Sequence, residues 1–365
     1  MTASRHPAPR VFAPGALAVL VLSGCVSLPT SEELRQAPSP HLAADAPPGI
    51  TDGRAGFRAI FCEALEAYPE DAGEPVACDF WLLRLDDEPA DAAPLPPLPA
   101  PPMQVLVVSG AFSECFGEDA RPFGSAVGSL RDSGTRVDTI VVGGRSGTSH
   151  NARQIAEYMD AWPVRPDLPL VLIGYSKGAI DILQFLADFP ERARQVDAVV
   201  SVAGSIGGSP LADRFDGLYE LLFSQLPSGH CPPGDGDVVH SLHAGLRDQW
   251  LRDNPLPDGV RYYSIAAFAT RDRVARALVA SWKTLLEYGR RNDGQLLAQD
   301  ALLPGSTLLG YLLADHWAVA LDIEDESPLL AHRDMNVPFP HLALLQAVLQ
   351  QVAVDVSRET PSGID

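Results

Sequence analysis

A serine flanked by glycines is the residue of this sequence best placed for covalent chemistry. Gly174, Ser176 and Gly178 form a Gly-x-Ser-x-Gly pattern. An apolar run at 170–173 precedes it directly, and an amphipathic stretch at 178–188 follows it. Small residues on both sides of the serine keep a strand and the helix that follows it from colliding at a sharp turn. The pattern predicts a turn that presents the Ser176 hydroxyl above a sheet as a nucleophile.

A nucleophilic serine needs a base, and that base needs an acid to orient it. We expect His316, within Ala-Asp-His, to be the base and Asp293, within Asn-Asp-Gly, to be the acid. The interval between the two has room for one strand and its connection. His316 would take the proton from Ser176, and Asp293 would fix the imidazole tautomer and stabilise its positive form.

Other residues compete for these two roles. Asp300 lies close to Asp293 in a similar loop context, and Asp272 follows an apolar run, although capping a helix would also explain it. His332 and His341 come later in the chain than His316. His341 lies in an apolar C-terminal stretch, where packing is the expected role.

An oxyanion hole needs two backbone N–H groups. One is expected from Lys177, the residue after the nucleophile, whose side chain should face solvent or Asp181. The other is expected from the loop after the strand at 104–108, with Ala111 as the donor and Phe112 as the alternative.

A second loop at the same predicted sheet edge, 143–151, contains a cationic side chain. Arg145 could contact an acidic substrate there, since ligands bind at the carboxyl edge of parallel sheets. A tight turn in which Asn151 caps a helix also explains the segment.

The stretch 103–320 resembles the α/β-hydrolase family, and its later part is similar to bacterial lipases. The resemblance rests on Gly-Tyr-Ser-Lys-Gly at 174–178, Asn-Asp-Gly at 292–294 and Ala-Asp-His at 314–316. It implies the chain order serine, acid, histidine. The sequence departs from the lipase pattern at Ser109, where a histidine is usual, and this affects the loop geometry rather than the main-chain donor.

The expected function is therefore ester hydrolysis by a serine hydrolase of the carboxylesterase or lipase kind, through an acyl-enzyme on Ser176. Two alternatives stay open at this point. One is an envelope acyltransferase that uses the same triad, and the other is a non-catalytic binding lipoprotein with the shape of a hydrolase. The substrate would carry an ester and could be a lipid or a polymer.

Strands and helices alternate after residue 103, which predicts an α/β fold with a mostly parallel sheet flanked by helices. The predicted strands are 104–108, 137–142, 170–173, 198–202 and 262–268, with helices over 121–131, 151–161 and 178–188. Continuous apolar strands indicate burial on both faces. The long interval at about 205–258 predicts a cap or lid insertion.

The N-terminus has the features of an export signal. Arg5 and Arg10 precede an apolar stretch at 11–22, which ends in Leu-Ser-Gly-Cys at 22–25. That ending resembles the lipobox of bacterial lipoproteins, which implies a signal peptide over 1–24 and an acylated Cys25. We expect a protein anchored by lipid in a bacterial envelope. By the same resemblance, Val26 favours the outer membrane, facing the periplasm or the cell surface.

Composition divides the rest of the N-terminal part. Residues 25–53 are rich in proline and alanine and predict a flexible tether. Residues 54–93 predict a small module with a helix at 54–68 and an edge strand at 80–85. The proline-rich stretch 94–102 predicts a stiff linker to a hydrolase domain over 103–356.

Export changes the meaning of the remaining cysteines, since an even number in an oxidising compartment suggests disulfides. Cys62 and Cys78 lie in one local segment and are the favoured pair, which leaves Cys115 with Cys231. The connectivity cannot be fixed by spacing alone.

The formal net charge of −20 argues against a nucleic-acid partner, because phosphate binding needs clustered lysine and arginine. It also means that anionic headgroups would repel the chain, so membrane attachment requires the lipid. No nucleotide or metal motif is present in the sequence, and we expect no cofactor and no metal.

Overall fold

Seven parallel strands form one sheet in the computed structural model of this chain. The structure describes residues 27–69, 76–90, 98–115, 121–214, 234–322 and 338–359 of the 365. Cys25, Cys231 and His332 lie outside these ranges, and the expectations about them stay predictions.

The sheet follows the order β1-β7-β6-β5-β4-β2-β3, and each neighbouring pair is parallel. The strands are β1 (Thr51–Asp52), β2 (Gln104–Val108), β3 (Arg136–Ile140), β4 (Leu170–Tyr175), β5 (Ala198–Val202), β6 (Arg261–Phe268) and β7 (Thr307–Leu313). The chain steps outward from β2 to β3 and returns to β4 on the other side of β2. Loops diverge at such a switch point and leave a crevice at the carboxyl edge.

Ten α-helices lie wholly within the described ranges, and residues 210–214 are also helical. The ten are α1 (Ser31–Gln36), α2 (Arg54–Ala67), α3 (Cys78–Trp81), α4 (Gly124–Asp132), α5 (Thr148–Ala161), α6 (Lys177–Asp188), α7 (Pro190–Ala193), α8 (Ala244–Asp253), α9 (Val279–Leu285) and α10 (His341–Glu359). Within the same ranges, no helix is both long and apolar enough to cross a bilayer.

Both faces of the sheet are covered, which explains the continuous apolar strands. In β2, Val105 and Val107 pack into the core beneath α2, α4 and α10, while Leu106 and Val108 pack beneath α5 and α6. Because successive side chains of a strand point to opposite faces, one apolar run serves both layers. The α/β architecture predicted from the sequence is confirmed.

The structure differs from the predicted tether over 25–53. Thr30 caps α1 in a reciprocal box with Glu33, Leu34 of that helix is buried, and Thr51 pairs with Thr307 in the sheet. This segment is ordered by single buried side chains and by backbone hydrogen bonds. Because it has no periodic apolar face, its proline-rich sequence does not predict an ordered structure.

The segment 54–93 does not fold as a separate module. Phe57 and Phe61 of α2 belong to the same core as Val107 of β2 and Leu344 of α10. The proline-rich stretch suggested a domain boundary. However, the apolar side chains of α2 pack on the central sheet and bury part of one of its faces. The N-terminal segment is thus part of the hydrolase fold.

The edge strand predicted at 80–85 does not form, because residues 80–81 end α3 and residues 83–85 are irregular. Only Leu82 forms a bridge, antiparallel to Leu312, and the Leu83 N–H donates to the carbonyl of Tyr311 at 3.0 Å. These contacts pair with the C-terminal half of the β7 edge, and β1 pairs with its N-terminal end. Cys62 and Cys78 form the favoured disulfide, which joins α2 to α3.

Candidate active site

The turn after β4 holds Ser176 in a strained backbone conformation, with φ of 53° and ψ of −125°. A Cβ on Gly174 would lie 2.4 Å from the Ala179 Cα, and one on Gly178 would lie 2.4 Å from the Val108 carbonyl oxygen. Real Cβ atoms do not approach so closely, so glycine is needed at both positions. The sequence pattern therefore has the steric origin expected of a nucleophile elbow.

The structure brings Ser176, His316 and Asp293 into one hydrogen-bonded relay. The Ser176 Oγ lies 2.8 Å from His316 Nε2, and His316 Nδ1 lies 2.7 Å from Asp293 Oδ2. His316 and Asp293 are buried, while Ser176 keeps partial exposure. A hydroxyl joined in this way to an imidazole and a buried carboxylate can lose its proton as it attacks.

Asp293 is fixed by the backbone around it. Its Oδ1 accepts hydrogen bonds from the N–H groups of Gln295 at 2.8 Å and Leu296 at 2.7 Å, which leaves Oδ2 for the imidazole. The Asp293 carbonyl also accepts the His316 N–H at 2.8 Å. The acid and the base are therefore held together by backbone as well as by side chains.

Two further residues position His316, and neither was assigned a role from the sequence. The Tyr175 hydroxyl donates to the His316 carbonyl at 2.6 Å, and its ring centroid lies 5.3 Å from the imidazole. Asp315 is fully buried and accepts from the N–H groups of Trp317 and Ala318, which closes the turn that carries His316. Both residues lie within the motifs at 174–178 and 314–316, but their partners are distant in sequence or belong to the backbone.

Of the two donors predicted in the loop after β2, Ala111 and Phe112, the structure shows a partner for one. The Phe112 N–H donates to the Gly144 carbonyl at 3.0 Å, so it is already used. This favours Ala111, which lines the same cavity as Ser176. The second candidate, the Lys177 N–H, begins α6, where the helix leaves N–H groups without intrahelical partners.

Ser109, the departure from the lipase pattern, has a structural role in this loop. Its buried hydroxyl accepts the Val142 N–H at 3.2 Å and so joins the ends of β2 and β3. Glu114 adds a second tie, since its carboxylate accepts the Gly144 N–H. Burial raises the pKa of Glu114. The loop that would carry the oxyanion donor is thus braced by its neighbour.

The Lys177 side chain points into the protein. Its Nζ donates to Asp181 Oδ1 at 2.6 Å, and both side chains are almost completely buried. Asn151 lies inside α5, whose N-cap is Gly147, and its Nδ2 donates to Asp181 Oδ2 at 2.8 Å. A buried ion pair thus lies directly beneath the nucleophile.

The rivals of the triad residues lie elsewhere. Asp272 is exposed in a short turn after β6. His341 begins α10, and its two ring nitrogens contact Asp322 at 2.8 Å and the Ala318 carbonyl at 2.9 Å. His341 therefore supports the segment after His316 from below. Arg145 does not line the cavity beside Ser176, and its carbonyl accepts the Gly236 N–H.

Asp300 is partly buried and makes no described contact with the relay, and its environment predicts a pH-dependent stability. Burial, with the neighbouring carboxylates of Asp45 and Asp213, raises the pKa of Asp300 to about 7. Between pH 4 and 7 the folded state binds more protons here than the unfolded state, so this contribution to stability falls as pH rises. We expect Asp300→Asn to stabilise the protein by about 3 kcal/mol at pH 8 and to have little effect near pH 4.

Urea unfolding of the wild type and of Asp300→Asn at the two pH values measures this difference. Asp272→Asn is the matched control, because an exposed carboxylate should leave stability within about 0.5 kcal/mol at both values. Equal stability of Asp300→Asn and the wild type at pH 8 would contradict the prediction.

A cavity of about 80 Å³ lies beside Ser176. Its described walls are mainly apolar, formed by Phe112, Leu211, Leu242, Leu296 and Trp317, with Ser209 and Gln295 as polar members. Leu211 and Leu242 come from the interval predicted as a cap. A carbonyl that reaches Ser176 would place its substituent among apolar side chains, with room for a few carbon atoms.

An elbow serine, a buried relay and main-chain donors at the carboxyl edge of a parallel sheet define the class of α/β hydrolases with a catalytic triad. Comparison with known proteins places the chain within that class. The metagenomic carboxyl esterase MGS0156 is 34% identical, with a TM-score of 0.78, and the match covers 88% of this chain and 98% of the esterase. The chain belongs to the α/β-hydrolase family.

Two further solved structures match the chain at lower similarity. Lipase BlEst2 from Bacillus licheniformis, in its mature form, is 21% identical with a TM-score of 0.48, over 62% of this chain and 90% of the lipase. EstA from Clostridium botulinum is 12% identical with a TM-score of 0.48, over 70% of this chain and 88% of EstA. Neither a protein-family model nor a curated protein matches the sequence.

Proposed function

We propose that this protein is an esterase that cleaves carboxylic esters through an acyl-enzyme on Ser176. The observation that carries the proposal is the unbroken relay from the Ser176 hydroxyl through His316 to the buried carboxylate of Asp293. The carboxyl esterase activity named for MGS0156 supports the same reaction class. The apolar cavity beside the serine suits the acyl part of such an ester.

In the first half of the reaction, the Ser176 Oγ attacks the ester carbonyl carbon while its proton passes to His316 Nε2. The negative oxygen of the tetrahedral intermediate accepts hydrogen bonds from the Ala111 and Lys177 N–H groups. Asp293 stabilises the imidazolium. The C–O bond to the alcohol then breaks, the alcohol leaves with the proton from His316, and the acyl group stays on Ser176.

In the second half, His316 takes a proton from water, and the resulting oxygen nucleophile attacks the acyl-enzyme. The second tetrahedral intermediate uses the same two N–H donors. Its collapse returns the proton to the Ser176 oxygen and releases the carboxylic acid. One ester and one water thus yield one acid and one alcohol, with the enzyme restored.

The alternatives make different demands on the site. A non-catalytic scaffold would be favoured by a distorted triad, but the two links of the relay are 2.8 and 2.7 Å. An acyltransferase would need an acceptor site that excludes water, and no described contact favours one. Hydrolysis is therefore the reaction that we propose.

The test uses purified protein lacking residues 1–25. We expect a fluorophosphonate probe to label the wild type and p-nitrophenyl butyrate to be hydrolysed. Ser176→Ala should abolish labelling and lower kcat by at least about 10³-fold. Ser205→Ala, which alters another serine of the same cavity, is the matched control and should retain labelling. A folded wild type that is neither labelled nor active would overturn the proposal.

We also propose that the protein is anchored to an envelope membrane by acyl chains on Cys25. The support is the signal-like sequence before that cysteine, since a net charge of −20 offers no electrostatic attraction to lipid. Two or more chains would give stable attachment. Replacement of Cys25 by serine should move the exported protein from the membrane fraction to the soluble fraction.

A further inference from the structure

The N-terminal segment runs over one face of β7, close to the sheet edge and against the direction of the strands, where Leu34 shares an apolar cluster with Tyr311. At its end, the Pro48 carbonyl accepts the Gly305 N–H and the Thr51 N–H donates to Ser306, both at 2.9 Å, where β7 begins. At its start, α1 lies beside 290–293, where β6 and β7 end. Ser27, the first described residue, therefore lies at the carboxyl edge, which also carries Ser176.

Two arginines fasten this start to the loop that carries the catalytic acid. Arg290 donates from Nη1 to the Ser27 carbonyl at 3.1 Å and from Nη2 to Glu33 Oε2 at 3.1 Å. Arg291 donates from Nε to the Leu34 carbonyl at 3.0 Å, and Leu34 itself is 2% exposed. Since Asp293 lies only two residues after Arg291, the segment is tied to the loop that carries the acid.

The covalent chain limits how far a lipid on Cys25 can lie from this point. Cys25 is two residues before Ser27, and two extended residues span about 7 Å. The carbonyl of Ser27 is held by Arg290. Acyl chains on Cys25 would thus enter a bilayer next to the acid loop and far from the amino edge of the sheet.

Exposed apolar side chains occur at the same place. Leu28 is 42% exposed and directly follows the held residue, and Tyr288 is 49% exposed just before Arg290. A tyrosine at a membrane surface can bury its ring among lipids and keep its hydroxyl in water. Each of the two lies within two residues, along the chain, of a partner in the contact between Arg290 and Ser27.

We infer that the carboxyl edge of the sheet is the membrane-facing surface of the anchored protein, and that its substrate is an ester borne by that membrane. The partner of the surface around Leu28 and Tyr288 is the lipid bilayer itself. The inference rests on the proposed esterase activity and on the proposed acylation of Cys25. It adds a fixed orientation, in which the mouth of the cavity opens towards the lipid surface.

Hydrogen–deuterium exchange tests the orientation without any use of activity. The full-length lipidated protein in phosphatidylcholine vesicles is compared with exported Cys25→Ser in solution, after mass spectrometry of the N-terminal peptide. We expect acylation of the wild type and slower exchange over 27–36 and 286–297 in the vesicles. The amino-edge turns at 163–169 and 256–260 should be unchanged. A peptide without acyl chains, or protection at the amino edge instead, would overturn the inference.

A second arm measures the consequence for catalysis with two butyryl esters. One is 1-palmitoyl-2-butyryl-phosphatidylcholine in the vesicles, and the other is water-soluble p-nitrophenyl butyrate. We expect Tyr288→Asp in the lipidated protein to slow cleavage of the vesicle ester about fivefold, because a carboxylate resists entry into lipid. Leu42→Asp, at a residue 60% exposed halfway down the sheet edge, is the matched control and should be unaffected.

The soluble ester separates the two possible failures. Both variants and the wild type should cleave p-nitrophenyl butyrate at equal rates, since neither residue touches the relay. Absence of this activity in the wild type would overturn the proposed function, while the exchange pattern would still decide the orientation. Equal cleavage of the vesicle ester by Tyr288→Asp and Leu42→Asp would overturn the membrane-facing surface.

Discussion

Replacement of Asp293 by asparagine should lower kcat for ester hydrolysis by about 10⁴-fold and leave KM nearly unchanged. The asparagine Oδ1 can still accept the N–H groups of Gln295 and Leu296, so the loop should keep its shape. Its Nδ2 would donate to His316 Nδ1, however. The imidazole proton would then be on Nε2, which could no longer accept the proton of Ser176.

Steady-state kinetics on p-nitrophenyl butyrate measure this loss, with circular dichroism to verify the fold. Asp300→Asn is the matched control, because Asp300 competes for the role of acid in the sequence yet lies away from His316. We expect it to retain kcat within about twofold. If Asp293→Asn kept a tenth of the wild-type kcat, or if Asp300→Asn lost activity instead, the relay would be misassigned.

The elements that position the site could be predicted because they leave local marks in the sequence. Gly174 and Gly178 are required because a Cβ at either position would collide with the turn itself or with the end of β2. The spacing of the two glycines in the sequence therefore predicts the geometry of the turn. The apolar runs of β2 and β4 record burial on both faces of the sheet. Local patterns of this kind were sufficient to predict the fold class, the nucleophile and the residues next to it.

Contacts between segments that are distant in the chain could not be predicted, because no local sequence pattern indicates them. The path of residues 27–50 depends on carbonyl groups that accept from Arg291 and on one buried leucine, Leu34. A carbonyl is the same in every residue, so composition alone suggested a free tether. The support of His316 by the Tyr175 hydroxyl likewise joins two residues far apart in the chain.

The burial of Lys177 beneath the elbow is another feature that the sequence alone does not predict. A lysine after a nucleophile is usually expected to reach solvent, and the i, i+4 spacing to Asp181 is also typical of surface pairs. Only the packing of α5 against α6 shows that the pair is enclosed, with Asn151 as its third member. Sequence spacing could identify the partner but not the burial of the pair.

Because the ion pair between Lys177 and Asp181 is buried, removal of either charge should destabilise the fold. We expect Asp181→Asn to lower the free energy of unfolding by about 3 to 5 kcal/mol, because Lys177 would keep a buried charge without its counter-ion. Burial already raises the pKa of Asp181, which shows the cost of holding a charge at this depth. Urea unfolding at pH 7 measures the loss.

The double variant Lys177→Met with Asp181→Asn separates pairing from packing. It removes both charges, so it should be more stable than Asp181→Asn alone, and the two changes should not be additive. Asp248→Asn is the matched control, because Asp248 pairs with Arg252 at the same i, i+4 spacing but in exposed positions. That control should cost less than about 0.5 kcal/mol. Equal losses for Asp181→Asn and Asp248→Asn would mean that water reaches Lys177, and that the elbow does not rest on an enclosed ion pair.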